Sequence, residues 1–422
     1  MDKDVVLKYG TDSLTVPIRG AARIRTVLPK EMERITDLPA AFLHAVEEGA
    51  IGSRPLKEQV GKDDPVTIVV SDITRSWMHQ DQVLPLLIDY LHDTIGVPYE
   101  AIVILIALGT HRHSTPEELI KICSEEVVKK VCVIDHDCDG ELVRVGRTSR
   151  GTDVLVNPLV IGRKVIVVGG TVHHMMAGFG GGRKNILPGV AGRETIRQNH
   201  RRALDPEKAM SDARVGCCKL TDNPIHEDMA EAAVLVPVAY SLNLVVGADG
   251  SHSGIFGGAL DEAWKASCDY QKACYEIPCE KADIVVCSTG GYPKDMNLYQ
   301  GCKGMLNAMR ALKPGGTMLW LCKCPEGGGA PDYFSWLTPL REGHLDASLR
   351  ANFTIGGYIF YLTCEQLRVA SHVYTLTELD PELVAPMGIE AEKALPALLK
   401  KINFTGKDVL VLPLAGSVVP MN

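Results

Sequence analysis

The sequence predicts an α/β protein of two domains, each with a mainly parallel sheet flanked by helices, and an active site in the interdomain cleft. Three observations predict it. Eight apolar, β-branched runs of four to seven residues fit strands buried on both faces: Val66 to Val70, Ala101 to Ala107, Val131 to Ile134, Lys164 to Val168, Leu242 to Val246, Ile284 to Cys287, Thr317 to Leu321 and Val409 to Leu412. Helical patterns separate them, the alternation expected of right-handed β-α-β crossovers. Polar clusters follow the strands directly, where open α/β sheets bind ligands.

Taken in order, the first run ends in Ser71-Asp72-Ile73-Thr74-Arg75. Asp81 to Tyr90 then carries apolar residues at Val83, Leu84, Leu86, Leu87 and Tyr90, the stripe of a half-buried helix. The second run ends in Gly109-Thr110-His111-Arg112-His113, and Ser114-Thr-Pro-Glu-Glu118 opens a helix with a hydroxyl cap, an early proline and first-turn acids. The run closing at Val168 leads to Gly169-Gly170-Thr171-Val172-His173-His174, and a helix is expected from Glu194 to Ala203. The pattern weakens between Cys268 and Lys281, which sets the domains at 1–275 and 276–422. Beyond it, Ile284 to Cys287 ends in Ser288-Thr-Gly-Gly-Tyr292, and Met305 to Leu312 reads as a helix stopped by Lys313-Pro-Gly-Gly316.

Composition excludes several classes. The 422 residues are 46% hydrophobic and 23% charged, ordinary for a globular chain, and the formal net charge of −8 leaves no basic footprint for nucleic acid or an anionic membrane. Apolar runs are too short to span a bilayer, and MDKDVVLKYG has no signal-peptide core. The thirteen cysteines include Cys217-Cys218 and Cys322-Lys-Cys324, without partner pairs at zinc-ribbon spacing, so free thiols in a reducing cytoplasm are expected.

Four strand ends thus bring an acid, arginines, up to four histidines and a glycine-rich turn toward one crevice. Adjacent side chains alternate along an extended segment, so of His173/His174 at most one is expected to point inward; of His111/His113, too, at most one is expected to enter the crevice. The densest signal is Ala177-Gly-Phe-Gly180-Gly181-Gly182-Arg-Lys184-Asn. Its glycines let backbone amides approach an anion, and the lysine can bind phosphate or act as a nucleophile. It is not a P-loop, because Asn185 stands where a magnesium-binding hydroxyl belongs. His200, sixteen residues on, cannot make a protein-only metal site, but it could ligate a metal whose other donors come from a cofactor. In the second domain, Tyr299-Gln300-Gly-Cys-Lys303 places a lysine at or near a helix start, a setting that attracts a carboxylate or phosphate.

The run His174-Met-Met-Ala-Gly-Phe-Gly-Gly-Gly-Arg-Lys184 through His200, with Asp72-Ile-Thr-Arg75, Gly109-Thr-His-Arg112 and Leu298-Tyr-Gln through Lys303, resembles the nickel-pincer lactate racemase family over most of the chain. The resemblance implies an isomerase whose pyridinium mononucleotide, thiocarboxylated twice, is tethered to Lys184 and holds Ni through a ring carbon and two sulfurs, with His200 as fourth ligand. It implies His111 and His174 as the paired acid/bases and Arg75 and Lys303 as substrate-carboxylate binders. Asp72, Thr74, Gly180, Gly181, Gly182, Tyr299 and Gln300 would hold the cofactor or substrate. Cofactor-synthesis enzymes are implied partners. Departures fall at Met296, at Cys302 and after Gly356-Gly357, where Tyr358-Ile-Phe360 stands in place of the family's frequent His-Lys.

The implied reaction is racemisation or epimerisation at C2 of a 2-hydroxy acid. One histidine takes the hydroxyl proton as hydride leaves Cα, a planar 2-keto acid turns, hydride returns to its other face, and the second histidine reprotonates it. Two acid/bases predict a bell-shaped pH–rate profile. Competing readings are a 2-hydroxy acid oxidoreductase, disfavoured by the lack of a dinucleotide fingerprint, and a non-catalytic nucleotide- or anion-binding protein, which leaves the histidines without a role. Lactate, a malate-like diacid, a longer aliphatic acid and a sugar acid all remain open as substrate.

Overall fold

The computed structural model describes residues Met1–Asn422, which divide into two compact units. The first comprises Glu31–Ala203 and Asp212–Lys272. Its sheet is built from β1 (Val66–Ser71), β2 (Ile102–Ala107), β3 (Cys132–Asp135), β4 (Lys164–Gly170), β5 (Val238–Val246) and β6 (His252–Gly258) in the spatial order β6-β5-β4-β1-β2-β3. All neighbours are parallel except the β5–β6 pair. Every residue of β1 is buried, which is why it reads as an unbroken apolar run. Ile68, Val70, Ile104, Ile106, Ile166 and Val168 form one core with Leu84, Leu87, Ile88 and Leu91 from the helical layer.

The expected helix over Asp81–Tyr90 is shorter. Gln80–Gln82 is a 3₁₀ turn, the α-helix runs Leu84–Asp89 with Pro85 in its first turn, and wider π-type turns follow over Tyr90–Ile95. Pro85 has no amide to donate, so it is tolerated there and nowhere deeper in a helix. At Thr115 a full capping box starts the helix Pro116–Cys123, as the sequence predicts.

Residues Met1–Lys30, Leu204–Ser211 and Ala273–Asn422 make the second unit. Its sheet contains β7 (Ala282–Ser288), β8 (Leu312–Leu321), β9 (His372–Leu376), β10 (Glu390–Glu392) and β11 (Asp408–Leu412), in the order β10-β9-β8-β7-β11 with Arg23–Thr26 on the far edge, parallel throughout. The first thirty residues therefore belong here, whereas the sequence suggests the first domain. Arg-Ile-Arg-Thr has no apolar run to announce a strand; it is held by ladder bonds to β11 and by Arg23 and Arg25 on Asp408, at 2.6 and 2.9 Å. Lys313–Gly316, read as a helix stop, instead opens β8. The helix already ends at Arg310, and the register slips between Ala282↔Leu312 and Ile284↔Thr317 to absorb the proline and glycines.

In both sheets the chain winds outward on one side and then returns to the other side of its first strand. Such a reversal opens a crevice beyond the carboxyl ends of the two strands it separates. It falls between β1 and β4 in the first unit and between β7 and β11 in the second. No helix is long and apolar enough to cross a membrane.

Candidate active site

In the first unit the polar segments after β1, β2 and β4 converge on the turn that carries Lys184. Asn185 Nδ2 donates to the Val168 carbonyl at 2.8 Å, and its Oδ1 accepts from Ser71 Oγ at 3.5 Å, so one amide ties the ends of β4 and β1. The Gly109 amide donates to the Gly189 carbonyl at 2.9 Å, tying in the loop after β2. Asn185 marks this turn as something other than a P-loop in the sequence; in the fold it is the cross-brace.

The glycine run is shaped by close approach. Gly181 (φ +74°) and Gly182 (φ +49°) lie in the left-handed region, and a Cβ on them would stand 2.9 Å from the Gly170 carbonyl oxygen and 2.7 Å from the Trp264 ring. Trp264 Nε1 donates to the Gly180 carbonyl at 2.8 Å, and the Arg183 guanidinium lies 3.7 Å over the indole. Arg183 is 3% exposed and donates to the Ala177 carbonyl; burial pushes it down to about 9, against the opposing charges of Cys268 and Asp261. Neither Trp264 nor Arg183 was identifiable as site scaffold from local sequence, because the tryptophan arrives from a helix eighty-odd residues later.

His200 ends α1 (Arg193–His200) and is buried, with Nδ1 bonded to the Ile196 carbonyl at 3.0 Å. A carbonyl only accepts, so Nδ1 carries the proton and Nε2 keeps its lone pair. Burial, with Lys184 adding its positive charge, pushes His200 down to about 3, so the ring is neutral and ready to ligate.

Past β1, Asp72 is buried and both its oxygens are taken from within the chain, Oδ1 by Thr74 Oγ1 at 2.6 Å and Oδ2 by His111 Nδ1. Burial alone would raise this carboxyl; the His111 bond and charge, Arg75 and Thr74 outweigh it and hold the carboxyl below its usual range. Thr74 Oγ1 in turn accepts from Arg75 at 3.0 Å, which sets the guanidinium beside the dyad. His111 is about half exposed. Of its neighbours, Arg112 is locked bidentately to Glu118 and His113 faces Asp135 at 3.4 Å.

His174 lies in a small hairpin, His173–His174 against Ala177–Phe179, that runs straight into the glycine turn. Its Nδ1 accepts from the Met176 and Ala177 amides at 3.2 and 3.1 Å, which leaves the proton of the neutral ring on Nε2. His173 instead packs on Phe179.

In the second unit, α2 (Leu298–Arg310) is capped by Asn297, which accepts from the Gln300 amide at 3.0 Å. Lys303 therefore sits in the second helical turn, not at the start, and its Nζ bonds Gln300 Oε1. Gly301 lets the helix press on Cys322, where a Cβ would stand 2.2 Å from the sulfur, and Gly304 brings it close to Thr289 just past β7, where a Cβ would be tight at 3.1 Å.

Two family models match: one described as the lactate racemase N-terminal domain over residues 9–211, the other as the lactate racemase C-terminal domain over 277–413. A lactate racemase of Lactiplantibacillus plantarum is 31% identical over 363 residues, covering 84% of each chain. One from Thermoanaerobacterium thermosaccharolyticum is 32% identical over 300 residues, covering 70% of this chain and 68% of its own. The lactate racemase apoprotein structure from the latter organism superposes with a TM-score of 0.87 at 26% identity, each chain fully covered. A Thermotoga maritima protein shares the fold, with a TM-score of 0.66 at 19% identity over 87% of this chain and 96% of its own. With both domain families matched in order and relatives aligned along most of its length, the chain belongs to the lactate racemase family and is an isomerase of the racemase class.

Proposed function

We propose that this chain inverts the C2 stereocentre of a small 2-hydroxy acid, using a nickel-pincer nucleotide tethered to Lys184 with His200 as the protein's ligand to nickel. The observation that carries the reading is His200 beside Lys184: a buried, neutral imidazole whose Nδ1 is committed to Ile196, leaving Nε2 as an unprotonated donor. Imidazole suits nickel, and the soft donors that complete a planar site would come from the cofactor. The cradle of Gly180, Gly181 and Gly182 admits a bulky anion where side chains would clash at the last two. When bound, the cofactor supplies a reversible acceptor for the Cα hydride.

The chain's own residues handle the proton and the carboxylate. Asp72 holds the Nδ1 proton of His111 and so turns Nε2 outward as a lone pair, the arrangement of a general base whose cation is stabilised by a buried carboxylate. His174 presents the opposite state, an Nε2–H donor, to the other face of the substrate. A proton gained by His174 would set Nδ1–H against two backbone amides, so the ring must leave those bonds to serve as base in the reverse direction. Arg75 and Lys303 are the cations assigned to the substrate carboxylate, with Thr74 orienting Arg75 and Gln300 orienting Lys303. Tyr299 completes the group proposed around cofactor and substrate.

The test is intact mass with metal content, on protein made in cells that synthesise the cofactor. An adduct of nucleotide size with about one nickel per chain, both lost in Lys184→Ala, is expected, together with racemisation of a chiral 2-hydroxy acid. An unmodified mass without nickel, in cells shown to load another family member, overturns the assignment.

A further inference from the structure

We infer that Cys217, Cys218 and His173 form a second metal site, for Zn²⁺, separate from Lys184 and His200. The residues meet because the short strand Gly216–Cys217 pairs in parallel with Ala177–Gly178, whose other neighbour is the His173–His174 strand. In an extended chain, adjacent side chains point to opposite faces. Here Cys218 has φ +68°, and the two sulfurs lie 3.6 Å apart. Left-handed backbone at a residue with a Cβ costs about 1 kcal/mol or more, and such strain persists where the surroundings demand it. Its effect here is to bring both thiols to one side. Two thiolates on one tetrahedral zinc, each bonded at about 2.3 Å, stand about 3.8 Å apart. The two sulfurs already stand close to that separation.

Cys218 is common to both pairs: its sulfur also lies within 4.8 Å of a ring nitrogen of His173, with which it hydrogen-bonds. The His173 ring is steadied by Phe179, their centroids 4.7 Å apart. Two thiolates and an imidazole are the donors zinc takes when it keeps a fourth position open to water. Both cysteines are free and only partly buried, so an ion can reach them. Without metal, the neighbouring thiol and then burial hold the Cys218 proton on, with His173 acting the other way. On binding, two Zn–S bonds and one Zn–N bond form and two thiol protons leave to solvent, with no change of oxidation state. A loaded site would pin the strand that carries His174, yet the site stands or falls independently of the racemase reading, because its readouts are metal and thiol counts.

The test uses the full-length chain, reduced and stripped with chelator, then dialysed against Zn²⁺. The expected result is one zinc per chain beyond any nickel, two fewer thiols open to a thiol reagent than in the stripped chain, and return of both on chelation. Co²⁺ in place of zinc should give the strong sulfur-to-metal absorption of thiolate ligation. Cys217→Ser and Cys218→Ser should lose all three signals, while Cys132→Ser, on an exposed thiol elsewhere, keeps them. Equal zinc in wild type and both serine variants overturns the inference. So does a wild type whose thiol count ignores zinc, or whose mass is lower by two hydrogens because the pair closes to a disulfide.

Discussion

At the scale of single residues, Asp72 shows what a neighbour does to a side chain. As a lone acid after a strand it could bind cofactor, substrate or an arginine; in the fold its oxygens are consumed by Thr74 and His111. Asp72→Asn leaves the shape but offers an amide that can donate to Nδ1, favouring the wrong tautomer of His111. The expected loss in kcat on loaded enzyme is about 10²- to 10⁴-fold, with KM changed far less, measured by loss of optical rotation. A wild-type kcat in Asp72→Asn would remove the dyad from the mechanism. Linkage gives a second expectation. The folded carboxyl is held below its unfolded value, so its stabilising contribution is complete above about pH 4 and fades as pH falls through the lower folded value. Asp72→Asn should therefore narrow the stability gap from wild type only in strongly acid solution, read by urea unfolding.

Among the elements, the glycine turn is the most exacting. Gly180 and Gly182 look equivalent in sequence, but they meet different surroundings. A Cβ at Gly180 finds its nearest atom, Val172 Cγ2, at 3.5 Å, an ordinary contact; at Gly182 it meets the buried indole of Trp264 at 2.7 Å with φ +49°. Gly180→Ala should unfold within about 1 kcal/mol of wild type, whereas Gly182→Ala should lose about 1–3 kcal/mol and most of its activity. Thermal unfolding of the two variants side by side checks the steric account, and equal midpoints would refute it. Helix starts divide: the Thr115 capping box was readable directly, whereas α2, expected from Met305, begins at Leu298 behind the Asn297 cap. Past the end of α2, Pro314-Gly-Gly316 reads only as a stop but lies within β8, because the pattern can follow a helix or interrupt a parallel strand with equal ease, and only the β7 partner decides which.

For the molecule as a whole, acid sensitivity follows from two histidines held neutral in the first unit, the buried His200 and the half-buried His226. Burial pushes both His200 and His226 down to about 3, helped by Lys184 at one and by Arg183 and Lys265 at the other. Between about pH 6.5 and pH 3 the unfolded chain binds protons that the folded chain refuses, so stability falls as pH falls. Each histidine contributes up to about 1.4 kcal/mol per pH unit across the middle of that window. The urea midpoint should drop from pH 7 to pH 5, and His226→Gln should flatten the slope; an unchanged slope would count against a neutral His226. The N-terminus offers a separate expectation. Removing residues 1–30 strips the Arg23–Thr26 strand and the apolar residues Val5, Leu7, Val16 and Ile18 from the core of the second unit. Limited proteolysis should then cut within 273–422 much sooner than in the full chain.

The class of fold was legible in the apolar runs, because each of the eight overlaps an observed strand; the Val131 to Ile134 run is the exception to burial on both faces, since it forms the exposed edge strand β3. The sequence by itself also marked the segments of the proposed site, since glycines, histidines and charged groups stand directly after those strands. Tertiary structure decided which atoms meet. The Asp72–His111 dyad, the Asn185 brace, the Trp264–Arg183 floor under the glycine turn and the first thirty residues' place beside β11 all join positions tens to hundreds of residues apart. Periodicity and capping act over a few residues and leave a mark in the local sequence. Contacts between distant segments depend on how the sheets order their strands, and no local pattern encodes that order.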